Sequence, residues 1–294
     1  MEILAAWPIA LLIVAGLLGL IVGSFLNVVA YRVPIMMERA WRTQCKELET
    51  EHAADPPHVG AADRFDLWWP PSACPGCGKP IAAHNNVPVL SFLWLKGRCA
   101  SCGAKISPRY PVVEAVAAVL GLAVAATLGP TWPMAAALGF TWTLLALTLI
   151  DLDHKLLPDS LTLPLLWAGL LVNALADGGT FASLSSAVLG AAGGYVALWS
   201  VSKLFKLITG TEGMGYGDFK LLAAIGAWLG WQMLPVVILL SAAAGSVVGL
   251  ALIAFRGRSS QTAIPFGPYL AGAGWVAMLW GDDLVRLYES WFFG

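Results

Sequence analysis

Eight long apolar runs divide this sequence and leave little room for a water-soluble fold. A spanning helix needs about 20 mostly apolar residues, with a range of roughly 17 to 25, and most of the runs approach that length. Only 12% of the residues are charged, whereas a soluble domain carries about a quarter. The mean hydropathy is +0.74. The runs are Trp7 to Tyr31, Val112 to Leu128, Trp132 to Ile150, Leu161 to Ala176, Phe181 to Phe205, Phe219 to Trp231, Pro235 to Phe255 and Ile264 to Trp280.

These runs predict an all-α polytopic membrane protein with about eight transmembrane helices. Phe219 to Trp231 is short for a span unless its helix begins in the preceding loop. The polar stretch Arg32 to Tyr110 interrupts the pattern and contains all five cysteines. We therefore expect a first transmembrane helix in residues 1–31, a cytoplasmic metal-binding insert in residues 32–110 and a seven-helix membrane domain in residues 111–294.

The positions of the basic residues predict the orientation in the membrane. If the segment after the first run is cytoplasmic, all but Arg286 of the 17 Lys and Arg residues lie on the cytoplasmic side. Cytoplasmic loops carry an excess of Lys and Arg, so this distribution predicts that both termini lie outside. We expect the lipid bilayer as a partner and no nucleic acid.

Two CxxC motifs in the insert predict a metal site. Cys74-Pro-Gly-Cys77 and Cys99-Ala-Ser-Cys102 are separated by 21 residues. Four thiolates at this spacing suit a closed tetrahedral zinc site with a structural role. The alternative is disulfides or unused thiols, but disulfides are rare in a reducing cytoplasm. Cys45 stands apart and is interpreted as a small apolar side chain.

Carboxylates near membrane spans are rare and often functional, since their charged form is costly in hydrocarbon. Asp151 directly continues the apolar run that ends at Ile150, and Asp218 closes the segment Gly213-Met-Gly-Tyr-Gly-Asp218. The predicted orientation places both on the cytoplasmic face. A structural interpretation is also open, in which the acidic residues stop one helix and cap the next. We favour it for Asp159, as a helix N-cap, and for Asp153, in a solvated turn with His154 and Lys155.

Two facing carboxylates that share a proton can hydrolyse a peptide bond, with one as general base and the other as general acid. Asp218 near a helix N-terminus is favoured as the anion, and Asp151 near a helix C-terminus is not. The sequence therefore predicts Asp218 as the base and Asp151 as the proton carrier. Because such a pair titrates jointly, the roles can exchange during the cycle.

Several segments, in order along nearly the whole chain, resemble the type IV prepilin peptidase family, the bifunctional leader peptidases and N-methyltransferases. They are Gly23-Ser-Phe-Leu-Asn-Val-Val-Ala-Tyr-Arg32, the four paired cysteines, Ile106-Ser-Pro-Arg-Tyr-Pro-Val-Val-Glu114, Ile150-Asp-Leu-Asp153 with Leu157-Pro-Asp159, Gly215-Tyr-Gly-Asp-Phe-Lys220 and Pro265-Phe-Gly-Pro-Tyr-Leu270.

The resemblance implies an aspartic endopeptidase of a bacterial inner membrane. Its catalytic aspartates fall on Asp151 and Asp218, with Asp153 as the contender for the first. The substrates would be prepilins and pseudopilins, cut after a glycine that ends a short basic leader. The new amino terminus would then be methylated with S-adenosylmethionine as the donor.

The same resemblance suggests that Gly23 to Arg32 and the insert serve the methyl transfer. The candidate residues for the methyl-donor site are Asn27, Arg32 and Glu114. Their alternative interpretation is helix packing and a salt bridge at the membrane surface. From the residues alone nothing indicates a methyltransferase, because there is no glycine-rich nucleotide-binding motif after a strand.

Two other functional classes compete with the peptidase. An ion- or proton-coupled membrane transporter would use the same carboxylates at broken helices. It predicts symmetric repeats and carboxylates near mid-membrane, and neither is evident in the sequence. A membrane-anchored zinc-knuckle adaptor would explain the cysteines but not eight spans or the glycine-rich segment before Asp218.

Overall fold

The computed structural model describes residues 8–50, 64–176, 178–211, 213–256 and 264–292. In these ranges the chain is helical, and its strand pairing is limited to isolated bridges. The chain separates into two compact units, Leu12–Leu122 and Met1–Leu11 together with Ala123–Gly294. The α-helices are α1 Pro8–Thr50, α2 Leu90–Trp94, α3 Arg109–Leu128, α4 Trp132–His154, α5 Asp159–Ala174, α6 Leu184–Thr209, α7 Tyr216–Leu229, α8 Leu234–Arg256 and α9 Gly267–Phe292.

The structure confirms an all-α polytopic fold. Each of the eight apolar runs coincides largely with one helix of 14 residues or more, and α2 is a short element of the insert. Five segments are long and apolar enough to cross a membrane by length and composition: α1, α3, α4, α6 and the stretch Trp231–Phe255. The α5 helix has 16 residues and α7 has 14. The apolar run from Phe219 is short for a span, and α7 is longer than this run at its start because it begins at Tyr216.

The first helix differs from the sequence expectation, because α1 continues to Thr50 instead of ending near Tyr31. Hydropathy changes at Tyr31, but residues 32–50 are rich in helix-forming Arg, Glu, Lys and Met. An ion pair between Arg42 and Glu38, at the i,i+4 spacing, supports this polar extension. The expected boundary at residue 31 is therefore a change of polarity and not the end of a helix. Residues 51–63 of the expected insert and Arg258 lie outside the described residues.

The short α7 helix is the most enclosed element of its unit, and all of Leu221 to Leu229 is buried. It packs directly against the backbone of α6. A Cβ added at Gly190 would lie 2.3 Å from the Gly226 carbonyl oxygen, and one added at Gly226 would lie 2.2 Å from the Gly190 carbonyl oxygen. Small residues of this kind allow spanning helices to approach closely.

Asn173, at the end of α5, secures the C-terminal end of α7. Its side-chain amide donates hydrogen bonds to the carbonyl oxygens of Ala227 and Trp228, at 3.0 and 2.9 Å. These carbonyls lie in the last turn, where helices leave backbone acceptors without intrahelical partners. The side-chain oxygen of Asn173 in turn accepts N–H bonds from the segment Thr180, Phe181 and Ala182. One end of α7 is thereby held in place, and the opposite end carries Asp218.

In the other unit, α1 and α3 cross at two glycines of α1. A Cβ added at Gly19 would lie 2.5 Å from the Ala118 Cα, and one added at Gly23 would lie 2.6 Å from the Glu114 Cα. The residues between the two helices form the insert, which contains α2 and the paired cysteines. The predicted position of the cysteine cluster, between the first two spanning helices, is confirmed.

Candidate active site and metal centre

Asp151 lies in the last turn of α4 and is only 5% exposed. The helix ends three residues later, and Lys155 adopts the left-handed conformation with φ of 53° while its N–H bonds the Asp151 carbonyl. The Asp151 Oδ2 atom accepts the backbone N–H of Gly267 at 3.0 Å. Gly267 is the first residue of α9, where backbone N–H groups lack intrahelical acceptors and favour negative charge.

Asp218 is the third residue of α7 and is buried, with 9% exposure. Its backbone N–H bonds the carbonyl of Gly215, the N-cap residue, at 3.2 Å. Its carboxylate lies beside the backbone N–H of Gly215, which favours the charged form. An acidic residue three positions after the cap that bonds back to the cap N–H is half of a capping box. Local helix-start chemistry therefore orients this carboxylate.

The fold brings Asp151 and Asp218 together although they lie on different helices. The charge of Asp151 acts directly on the Asp218 carboxyl group. The hydrogen bonds recorded for the two carboxylates come from backbone N–H groups and not from a Lys or Arg side chain. Like charges at close range in a low-dielectric interior repel strongly. The pair is therefore suited to holding one proton between two carboxyl groups.

Leu157 packs the three segments of the site together. It is 8% exposed and follows α4. A Cβ added at Gly217 would lie 2.8 Å from the Leu157 Cβ, and one added at Gly267 would lie 3.2 Å from its Cδ2. The loop after α4 thus contacts the start of α7 and the start of α9. Leu157 and Gly267 stand in segments that resemble the family, but nothing local in the sequence indicates these contacts.

Asp159 does not have the role that the sequence analysis favoured. The α5 helix begins at Asp159 itself, its N-cap residue is Pro158, and no side chain caps it. Instead, both carboxylate oxygens of Asp159 accept hydrogen bonds from Lys220 Nζ at 2.7 Å. Lys220 lies two residues after Asp218, so this ion pair joins the first turns of α5 and α7. The sequence analysis did not find this partner, because the two residues are far apart in the chain.

Asp153 lies on the exposed side of the last turn of α4. The sequence predicts a solvated turn at this point, but Asp153 and His154 are the last two residues of α4. The Asp218 carboxyl group is affected by the charge of Asp151. The geometry therefore favours Asp151 over Asp153 as the partner of Asp218.

The four paired cysteines of the insert converge, and all their Sγ atoms lie within 4.8 Å of one another. The Sγ atoms of Cys74 and Cys102 are 3.8 Å apart. A disulfide would require about 2.05 Å. Four sulfurs around one ion at the usual Zn–S distance of about 2.3 Å are separated by roughly 3.8 Å, the edge of that tetrahedron. The cluster can therefore hold a metal ion.

The two cysteine pairs have the same local structure. The N–H of Gly76 donates to Cys74 Sγ, and the N–H of Ser101 donates to Cys99 Sγ, each at 3.4 Å. Each turn ends at a glycine with φ of about +70°, Gly78 or Gly103, which residues with a side chain rarely adopt. Hydrogen bonds from the Ser101 and Cys102 backbones lower the pKa of the Cys99 thiol to about 6. These donors favour the thiolate, which is the metal-binding form.

The three candidate methyl-donor residues all contact groups of their own unit. Arg32 is 7% exposed and donates to the carbonyl oxygens of Asp66 and Pro70. The alternative interpretation of the three candidates included a salt bridge at the membrane surface. The two hydrogen bonds of Arg32 are instead made to backbone carbonyl groups. Asn27 donates to the Gly23 and Tyr110 carbonyls.

Glu114 is the third candidate, and it is also 7% exposed. Its Oε2 atom accepts the N–H of Val89 at 2.7 Å, and the Ser24 side chain lies near its carboxylate. Val89 has a φ of 59°, which is uncommon for a β-branched residue. Glu114 therefore holds a turn of the insert against the two helices α1 and α3.

A bundle of apolar helices that encloses two adjacent carboxylates, together with a four-cysteine insert, defines a polytopic membrane protein with a paired-carboxylate centre. The family model described as the bacterial peptidase A24 N-terminal domain matches residues 17–128. The model of the type IV leader peptidase family matches residues 138–250. No solved structure matches the chain.

Curated relatives agree with these matches over almost the entire chain. A prepilin leader peptidase/N-methyltransferase of Aeromonas salmonicida is 56% identical over 274 residues, 93% of this chain and 92% of the relative. The protein of that name in Aeromonas hydrophila is 55% identical, with 94% and 93% covered. The one in Pseudomonas aeruginosa is 52% identical, with 98% and 97% covered. The chain belongs to the type IV leader peptidase family.

Proposed function

We propose that this chain cleaves the leader peptides of type IV prepilins and pseudopilins and methylates the new amino terminus. Family membership supports the peptidase, and the relatives named above combine both activities in one protein. The structural observation that carries the proposal is the buried pair of Asp151 and Asp218. The transporter alternative gains no support from the matched families or the relatives.

The two carboxylates supply the acid and the base that peptide hydrolysis requires. We propose that Asp151 and Asp218 share one proton and hold the attacking water between them. The ionised member removes a proton from the water while the protonated member gives its proton to the carbonyl oxygen. When the C–N bond breaks, the member that took the water proton gives it to the leaving amine, and the other member recovers a proton from a hydroxyl group of the tetrahedral intermediate. Asp151 accepts the backbone N–H of Gly267 at the start of α9, and Asp218 lies in the first turn of α7. Helix dipoles therefore stabilise both members, so the roles can exchange between the two steps.

Gly215 gives an extended peptide room to approach the pair, because a Cβ there would have its nearest neighbour 3.8 Å away, at Asp218 Oδ2. Gly215 and Gly217 flank Tyr216 immediately before Asp218. Tyr216 is 54% exposed, so this side chain is available to a bound substrate. Backbone without side chains can pair closely with backbone. We infer that the segment between residues 213 and 218 binds the substrate around its scissile bond.

The four cysteines are proposed to bind one structural Zn²⁺. The thiolates of Cys74, Cys77, Cys99 and Cys102 would occupy all four tetrahedral positions, so the ion would stabilise the insert and take no part in hydrolysis. The sulfur separation and the N–H donors to sulfur support this assignment. Removal of the ion should loosen the insert, because metal binding and folding are coupled in such small domains.

S-adenosylmethionine is proposed as the methyl donor, in keeping with the methyltransferase names of the relatives. The donor groups of Arg32 and the acceptor groups of Glu114 already bond protein backbone. We therefore propose that these two residues support the methyl-transfer site by shaping the insert, and that they do not contact the donor. Asn27 is proposed to act in the same way, through the Tyr110 carbonyl.

We propose that the paired carboxylates and the insert lie on the cytoplasmic side of a bacterial inner membrane, with both termini periplasmic. The end of α4 and the starts of α5, α7 and α9 meet through the bonds Asp151–Gly267 and Asp159–Lys220. Helices that alternate in direction bring these ends to one membrane face, as the distribution of Lys and Arg predicts. Reporters fused after Thr209 and after Leu229 test this orientation, and the first should report cytoplasm and the second periplasm.

The decisive test of function uses purified full-length protein in lipid vesicles with a prepilin substrate. Mass spectrometry should show loss of the leader without added methyl donor. With S-adenosylmethionine present, the mature product should gain one methyl group. An uncut substrate with wild-type protein, in vesicles where the helical fold is retained, would contradict the proposal.

A further inference from the structure

The insert carries an apolar face that the proposed reactions do not use. Three residues of the short α2 helix, Leu90, Leu93 and Trp94, are 64%, 65% and 87% exposed. Their spacing places them on one side of the helix. Lys96 and Arg98 follow and are also exposed. Apolar and aromatic side chains next to basic ones are typical of elements that lie in a membrane interface.

The depth of this face follows from the hydrogen bond between Glu114 and Val89. The α3 helix has 20 residues and is therefore about 30 Å long, which equals the thickness of the hydrocarbon core. We place the boundary at Arg109, the basic residue at which this helix starts. Glu114 lies five positions further along, about 7.5 Å deeper. Because Glu114 Oε2 accepts the Val89 N–H at 2.7 Å, Val89 lies within the length of that side chain of this depth, directly before α2.

A second contact places another part of the insert at the boundary. Asn27 of α1 donates to the Tyr110 carbonyl at 3.3 Å, so Asn27 is level with the start of α3. Phe25 precedes it by two residues and lies about 3 Å deeper. The ring of Trp68 stacks on Phe25, with centroids 6.0 Å apart, and Trp68 is itself 78% exposed. Trp68 thereby extends the exposed apolar side of α1, which includes Ile21, 60% exposed.

We propose that Trp68, Leu90, Leu93 and Trp94 form an interfacial face that is embedded in the lipid of the bilayer. The insert then lies on the membrane and does not project into water as a separate soluble domain. We expect lipid to cover this face for two reasons. At Phe25 the face continues the apolar surface of α1, a membrane-spanning helix. At Val89 it begins deeper in the membrane than Arg109, the first residue of α3. The basic residues Lys96 and Arg98 are then placed to contact anionic lipid headgroups.

Photocrosslinking in the intact protein tests the proposal. p-Benzoylphenylalanine is introduced singly at positions 68, 93 and 94 of the full chain, reconstituted in vesicles of phosphatidylcholine and phosphatidylglycerol. Leu93 and Trp94 are exposed, so their replacement leaves the packing of the unit unchanged. At position 68 the aromatic substitute takes the place of the ring that stacks on Phe25. After irradiation, mass spectrometry distinguishes peptides that carry a lipid from peptides joined to another part of the protein.

Two matched positions calibrate the yield of lipid adducts. Val119 of α3 is 62% exposed and lies mid-span, so it gives the yield of a lipid-facing site. Lys79 is exposed in the first cysteine turn and gives the yield of a water-facing site. Lipid adducts at 93 and 94 that approach the Val119 yield support the proposal. Peptide-to-peptide crosslinks at these positions, or a yield no higher than that at Lys79, would overturn it.

Discussion

The backbone N–H of Gly267 donates a 3.0 Å hydrogen bond to Oδ2 of Asp151. This bond joins the first residue of α9 to the last turn of α4, between residues more than a hundred positions apart. The contact has no room for a side chain, since a Cβ at position 267 would lie 2.6 Å from the same oxygen. The geometry of the proposed catalytic pair therefore depends on a glycine of a third helix.

Replacing that glycine should displace the carboxylate. In Gly267→Ala the added methyl group must move Asp151, Leu157 or α9, and a displacement of about 1 Å can lower catalysis by roughly 100-fold. Overpacking of this kind also destabilises by about 1 to 3 kcal/mol. Cleavage rate and thermal unfolding in detergent are the measurements. Gly272→Ala is the matched control on the same helix, because a Cβ there meets nothing within 4 Å. Equal activity of the two variants would contradict the argument.

Asp151→Asn and Asp218→Asn should each abolish leader cleavage. An amide keeps the size of the side chain but cannot exchange the proton, so the rate should fall by about 10²- to 10⁴-fold or more. The double variant should be scarcely slower than either single one, because members of one catalytic unit are not additive. Cleavage of a prepilin, followed by gel or mass spectrometry, measures both effects.

The same variants should separate the two activities. Methyl transfer to an amine depends mainly on positioning and a deprotonated nucleophile. A pre-cleaved pilin offered to the Asp218→Asn protein should therefore still be methylated, as measured by transfer of labelled methyl groups. Asp153→Asn serves as the control for cleavage, because Asp153 is exposed at the helix end. If Asp153→Asn stops cleavage and Asp151→Asn does not, the assignment of the pair is wrong.

The ion pair of Asp159 and Lys220 should have a much smaller effect. The two side chains are 55% and 30% exposed, and pairs screened by solvent contribute about 0 to 1 kcal/mol. Asp159→Asn and Lys220→Met should each lower the cleavage rate by less than about 5-fold, which corresponds to about 1 kcal/mol. A double-mutant cycle on the rate measures the coupling. A loss as large as that of Asp218→Asn would show that this pair belongs to the catalytic machinery.

Purified protein should contain about one zinc ion per chain, since four thiolates form one closed site. Cys74→Ser should release the metal and make the insert sensitive to protease, because the metal and the fold of the insert are coupled. Metal analysis and limited proteolysis are the measurements. Cys45→Ser is the control, as Cys45 is exposed on α1 and lies outside the cluster. Metal-free protein with a resistant insert would contradict the assignment.

The turn at Asp66 should loosen in acid. A hydrogen bond from Arg64, and then N–H bonds from Trp68 and Trp69, lower the pKa of Asp66 below its ordinary value of 3.8. A lowered pKa in the folded state means that the ionised carboxylate stabilises the turn above about pH 4, and that this contribution is lost as the pH falls through the folded-state pKa. Hydrogen-exchange protection of the Trp68 and Trp69 amides should decrease over that acidic range.

Asp66→Asn provides the matched control for this pH effect. The amide oxygen can still accept the N–H groups of Trp68 and Trp69, but it does not titrate. Protection in this variant should change little between pH 7 and the acidic range. A pH dependence equal to that of the wild type would show that another group controls the turn.

The sequence was sufficient to predict the helices and the cysteine turns, because both depend on interactions between residues that are close in the chain. Apolar runs near span length specify helices in lipid, where backbone hydrogen bonds must be satisfied within the segment. The two CxxC motifs specify their own turns through Gly78 and Gly103, whose positive φ values the structure shows. Hydropathy misjudged the ends of α1 and α9, which continue beyond Tyr31 and Trp280 to Thr50 and Phe292, since a change of polarity does not stop a polar helix.

The contacts between helices could not be predicted from the sequence, because they join residues that are distant in the chain. Asp151 and Asp218 were predicted from their positions beside apolar runs and from the family resemblance, but their proximity depends on how α4, α7 and α9 pack around Leu157. Asp159 has the local pattern of a helix cap, yet it pairs with Lys220 of another helix. Local patterns determine which groups a chain possesses. Only the packing of small residues against neighbouring helices decides which of these groups meet. The distance between two helices depends on the volume of the side chains between them, across the whole bundle.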